Sequence, residues 1–175
     1  MSKKIFCLLL GTAILTGVVC ILNYGISFRL LEYIFVTVFT FLFSIEDIKE
    51  KKVKTLALLA MLLIGVVTEV FTFNAYAYIS SFAGGILSFL IMLVMYFVTM
   101  RKLGMGDVYL VGIIGFYLGF TDTMQLVFVT LFLTVIYGII AVLAKKSTMK
   151  TQLPMIPFML VALFLNNTMI LMSRR

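Results

Sequence analysis

The sequence predicts an all-α fold, a polytopic bundle of about seven membrane-spanning helices. Three observations carry this expectation. Hydrophobic residues fill 63% of the 175 positions and charged residues only 12%, where a soluble domain carries about one-quarter charge. Several apolar runs approach the roughly 20 residues that cross a hydrocarbon core as a helix. Short polar clusters separate these runs, which leaves room for one membrane domain and little else. A helix satisfies its own backbone hydrogen bonds, so it is the form such runs take in lipid.

In chain order, spans are expected over 5–23, 30–45, 55–73, 79–100, 108–120, 124–144 and 153–172. Lys3 and Lys4 ahead of the first run resemble a signal-peptide start, but no small-x-small cleavage site follows, and the residue before Cys20 is too large for a lipoprotein site. The first helix is therefore expected to be retained. The run 108–120 is short and carries Gly112, Gly115 and Gly119 at roughly helical spacing. Such small residues let a neighbouring helix approach closely.

The net charge of +7 is distributed in small groups between apolar runs, a pattern that orients helices and does not suggest a nucleic-acid surface. With the N-terminus inside, Lys3, Lys4, the lysines of 49–54, Arg101, Lys102, Lys145, Lys146 and Lys150 all lie on one side. Only Arg29, Arg174 and Arg175 lie on the other. Eleven against three places the N-terminus in the cytoplasm by the positive-inside rule. Histidine is absent, which excludes His-dependent triads and His-containing zinc sites within the chain. Cys7 and Cys20 share the first apolar run and form neither a CxxC site nor a disulfide framework. No metal or organic cofactor is expected.

The acidic residues are Glu32, Glu46, Asp47, Glu50, Glu69, Asp107 and Asp122. Glu50 sits among lysines as a solvated loop charge, and Asp122, between two threonines, reads as a cap or turn residue on the outer side. Glu32 and Glu69 fall near outer helix ends, where reaching the interface is inexpensive. Asp47 and Asp107 stand apart, because each lies at a helix boundary on the inner side. Asp107 follows Gly104-Met105-Gly106, where the missing Cβ atoms permit close backbone approach, and a helix N-terminus favours its carboxylate. Taken alone, Gly104–Asp107 also fits a plain turn and cap. Two carboxylates brought together share a proton and titrate as a pair. One can activate water while the other, protonated, polarises a carbonyl.

These residues resemble the type IV prepilin peptidases, membrane aspartyl proteases that mature pilins and pseudopilins. The first family motif, an aspartate at a helix end followed by a basic stretch, is similar to Asp47-Ile48-Lys49-Glu50-Lys51-Lys52-Val53-Lys54. The second, GxGD followed by a glycine-spaced helix, is similar to Gly104-Met105-Gly106-Asp107-Val108-Tyr109-Leu110 and on to Gly119. Phe82-Ala83-Gly84-Gly85 resembles the glycine-bearing helix ahead of GxGD, and Leu153-Pro154-Met155-Ile156-Pro157-Phe158 the entry to the last helix. Lys54 stands where the family usually has proline, and Tyr109 where it usually has lysine.

The resemblance implies an N-terminal helix over 1–29 and a peptidase-like membrane domain over 30–175. It also implies an aspartyl endopeptidase without the cysteine-rich insertion of the larger members, and so without their methyltransferase activity. Such an enzyme would cut the leader from prepilin or pseudopilin-like substrates at the cytoplasmic face of the cell membrane, with Asp47 and Asp107 catalytic and Gly104 and Gly106 as motif backbone. Presenilin-type proteases share GxGD but place Tyr before the first aspartate, where this chain has Glu46. A non-catalytic membrane scaffold of a pilus system and a small ion-coupled transporter remain open readings, although acids clustered at interfaces do not describe a pore.

Overall fold

A computed structural model describes residues 3–50, 54–70, 75–99, 103–143 and 155–173. Seven helices account for nearly all of them: α1 (Lys3–Tyr24), α2 (Phe28–Glu50), α3 (Thr55–Val70), α4 (Ala75–Val98), α5 (Met105–Leu118), α6 (Phe120–Leu143) and α7 (Ile156–Ser173). There is no strand among the described residues. Each expected run is a helix over most of its described residues, with 71–73, 100, 144 and 153–154 outside the description, and the protein is a multi-pass helical membrane protein. By length and apolarity, α1, α2, α4 and α6 suffice to cross a bilayer, whereas α3, α5 and α7 are shorter apolar helices. Phe128, Phe132 and Val135 of α6, like Leu8, Leu15 and Leu22 of α1, point outward, an apolar exterior suited to lipid.

The helix ends follow local chemistry. α1 stops where Gly25, at φ +57°, donates its N–H to the Ile21 carbonyl, the left-handed closure that glycine accepts without penalty. Ser27 then caps α2 through the Leu30 N–H. The buried positions of α2 are Leu30, Tyr33, Val36, Thr37, Thr40, Phe43, Ser44 and Asp47. They recur every three or four residues, which is the inward stripe of a helix, and Asp47 is its last member. Helix α2 continues one turn past the sequence expectation, so Asp47 lies within the final turn and not at the terminus.

Helix α5 forms the centre of the bundle. From Val108 to Leu118 every side chain is buried except Tyr109, and α5 packs on α2, α3, α4 and α6. Its tightest neighbour is α4, through the glycines read from the sequence. A Cβ on Gly84 would lie 2.4 Å from the Gly115 carbonyl oxygen, and one on Gly115 would lie 2.6 Å from that of Gly84. Backbone therefore meets backbone, as expected of small-residue helix interfaces. Gly119 alone joins α5 to α6, at φ +79°, a turn that a side chain would strain. Helix α1 packs against α7 and α2, and Asn23 donates to the Asn167 carbonyl at 2.7 Å.

Asp122 does more than cap a turn. It lies in the first turn of α6, where it accepts from the Tyr33 hydroxyl at 2.8 Å and from Arg29 at 3.2 Å. Arg29 also donates to the Leu118 carbonyl and lies 3.7 Å from Glu32. This cluster ties the start of α2 to the α5–α6 turn, at the end of the bundle remote from Asp47. The side chain of Glu69, together with residues 51–53, Arg101, Lys102, Lys145, Lys146, Lys150, Pro154, Arg174 and Arg175, falls outside the description.

Candidate active site

The C-terminal end of α2 and the N-terminal ends of α5 and α7 meet at one end of the bundle. Asp47 is buried there, at 8% exposure, and its Oδ2 accepts the backbone N–H of Ile156 at 3.2 Å. Ile156 is the first residue of α7, where a helix leaves donors unmet. Pro157 offers none, and Phe158 bonds to the Met155 carbonyl. The Ile156 N–H is thus the open donor of this turn, and a carboxylate at a helix N-terminus is its natural partner.

Asp107 lies in the first turn of α5 behind Gly104, the N-cap. It precedes the apolar run 108–120 and is outside each of the four long spans. Its carboxylate turns back over the cap and accepts a backbone hydrogen bond from Gly104, the acid half of a capping box. The Gly104 backbone, at φ −71° and ψ 134°, is ordinary extended chain, so its glycine is required for space and not for conformation. A Cβ at Gly104 would lie 2.9 Å from Oδ2 of Asp107.

The two carboxylates act on one another. Burial pushes the carboxyl of Asp107 up to about 7, and the neighbouring Asp47 charge pushes the same way. The Gly104 hydrogen bond opposes both. Burial and a like charge both disfavour ionisation, and here they outweigh a bond that favours it. Gly106 stands one residue ahead of Asp107, within the first turn. Among the described residues no cluster of three or more acidic or cysteine side chains is placed to hold a metal.

A family model described as the type IV leader peptidase family matches residues 34–139 of the chain. The chain belongs to the type IV leader peptidase family. No curated protein and no solved structure matches it. The match takes in both aspartates and the glycines beside Asp107, but it stops before α7.

Two departures from the leader peptidase pattern have clear structural settings. Lys54 carries the first turn of α3 on its carbonyl, which accepts the N–H groups of Ala57 and Leu58. Its ammonium pairs with Glu46 at 3.2 Å, linking α2 to α3 beside Asp47. Tyr109 lies two positions beyond Asp107, about 200° around the helix. It is stacked on Phe89 of α4 and so faces away from the carboxylates. The sequence reading did not see the Ile156 N–H as a partner of Asp47. The Pro157 motif was visible, but a backbone donor has no residue type to betray it.

Gly104→Ala gives a direct check on this geometry. The added methyl meets the end of a side chain, so the fold survives while the carboxylate is displaced. Cleavage of a leader substrate is expected to fall roughly 10- to 100-fold at unchanged protein level, as misplacement by an ångström does elsewhere.

Proposed function

We propose that this leader peptidase is an aspartic-type endopeptidase in which Asp47 and Asp107 act as a pair on the leader of prepilin or pseudopilin-like membrane proteins, at the cytoplasmic face of the cell membrane. The observation that carries this reading is the convergence of two carboxylates at one end of the bundle, close enough for one to raise the other. The sequence holds no histidine, so acid–base work here does not pass through an imidazole. The positive-inside count supports the cytoplasmic side.

In this mechanism the pair holds one proton, drawn on Asp107. Asp47 takes a proton from a water as its oxygen attacks the scissile carbonyl carbon, and Asp107 gives its proton to the carbonyl oxygen. The tetrahedral diol collapses as Asp47 passes its proton to the amide nitrogen, the C–N bond breaks, and Asp107 recovers a proton from a diol hydroxyl. Each group ends as it began. Positioned proton transfer of this kind contributes about 10²- to 10⁴-fold.

The test is cleavage of a co-expressed prepilin in membranes, followed by mass loss of the leader across a pH series. The reading expects cleavage that declines as pH rises through about 7, because Asp107 then loses the proton it must donate. A protein that cleaves no prepilin-type partner, or one whose rate is flat from pH 5 to 9, would refute it.

A further inference from the structure

A second feature lies on the face of α5 turned away from the aspartates. Helices α3 and α4 both pack on α5, yet among the described residues they scarcely touch each other, although they are consecutive in the chain. Between them runs an apolar cavity of about 410 Å³. Val66 of α3 and Ile86 and Leu90 of α4 form its walls, and Gly112 and Phe116 of α5 its floor. The walls are open, with Ile86 57% and Leu90 47% exposed, whereas Phe116 beneath is buried. Tyr109 closes the floor toward the end of the bundle that holds the aspartates.

We propose that this groove seats the apolar helix of the membrane protein whose leader is cut. The inference rests on the peptidase reading and assigns the surface that delivers its substrate. A segment lying in lipid must satisfy its own backbone bonds, so it enters as a helix, and a helix seated between two others meets side chains at three- and four-residue steps. The groove offers that pattern. Positions 109, 112 and 116 line one face of α5, and 86 and 90 one face of α4.

The groove also leads to the site. The face that carries Phe116, Gly112 and Tyr109 continues along α5 to Gly106, and the next residue is Asp107. A chain that leaves helical form at Tyr109 must pass around the end of α5, a path of about 10 Å. Roughly three extended residues cover it, which brings an unwound peptide bond to the carboxylates. Gly106 itself adds no side chain to that corner. A lipid tail would suit the same lining but has no use for this route.

The experiment places a benzophenone amino acid at position 86 or 90, or at 132 on the outer face of α6 as control, in the full-length protein carrying Asp47→Asn. A co-expressed prepilin-type substrate is present when membranes are irradiated. Adducts with the apolar segment of the substrate are expected from 86 and 90, at least about tenfold above those from 132. Equal yields from all three positions, or adducts with lipid only, would overturn the proposal. Retained cleavage in Asp47→Asn would refute the paired mechanism and leave the crosslinking result to stand on its own. As a second variant, Ile86→Trp with intact aspartates fills the groove. It is expected to raise KM for the membrane substrate with kcat little changed, whereas an unchanged KM contradicts seating there.

Discussion

Asp107→Asn is expected to abolish leader cleavage, with a loss of roughly 10²- to 10⁴-fold, while the protein accumulates in membranes as the wild type does. The amide keeps the planar shape and can still accept from Gly104, but it has no proton to exchange. Asp47→Asn is expected to do the same, and the double variant should be no worse than either single one, because groups that act as a unit lose their effect together. Cleavage at the wild-type rate by either variant would mark that aspartate as structural.

The same substitution has an expected effect on stability, and its sign separates lost chemistry from lost folding. The carboxyl of Asp107 is raised from 3.8 to about 7, so the folded protein holds a proton that the unfolded chain releases between those values. The wild type therefore loses stability as pH rises through this window. The Asn variant lacks this dependence. At pH 8 it should unfold at the same or a higher temperature than the wild type, which shows that lost cleavage is not lost folding. A pH dependence of stability unchanged by Asp107→Asn would contradict a carboxyl raised by burial and by the Asp47 charge.

The second large effect is expected at the α4–α5 contact. Gly84→Ala would place a methyl 2.4 Å from the Gly115 carbonyl oxygen and 2.8 Å from the Gly119 Cα and the Phe120 nitrogen. These are backbone atoms and cannot rotate aside, so the helices must separate. Overpacking of this kind costs about 1–3 kcal/mol and occasionally more. Gly115→Val, which faces the Gly84 carbonyl and Ser88 together, is expected at or above the upper end of that range, with the protein lost from membranes. By contrast, alanine at Gly11, where nothing lies within 4 Å, should be neutral. Thermal unfolding of the purified variants in detergent measures the difference. Equal stability of Gly84→Ala and Gly11→Ala would show that the two helices can move apart at no cost.

Much of this was legible in the sequence, for reasons that differ by element. Apolar runs must become helices in lipid, so all seven were readable, with errors confined to their ends. The glycines of α5 were readable as a close-approach face because small residues let helices come together, whereas the partner helix that meets them was not. The aspartates were readable as candidates because carboxylates in a chain so short of charge need a reason. Partnerships set by the tertiary fold were not readable. Asp122 read as a turn residue, because nothing in the sequence places Arg29 and Tyr33 beside it, 93 and 89 residues earlier. The gap between α3 and α4 was equally hidden, since consecutive helices with a short connection are expected to pack together.

The bond between Asp47 and Ile156 spans 109 residues of sequence, and this has a temporal consequence. Membrane proteins are threaded into the bilayer from the ribosome, N-terminal helices first. Asp47 enters early, Asp107 follows, and the backbone donor to the Asp47 carboxylate arrives with α7, after both. A chain that has not yet reached Ile156 thus contains both acids without the N–H that Asp47 accepts. The order of synthesis therefore sets the order in which this end of the bundle closes, α2 and α5 before α7.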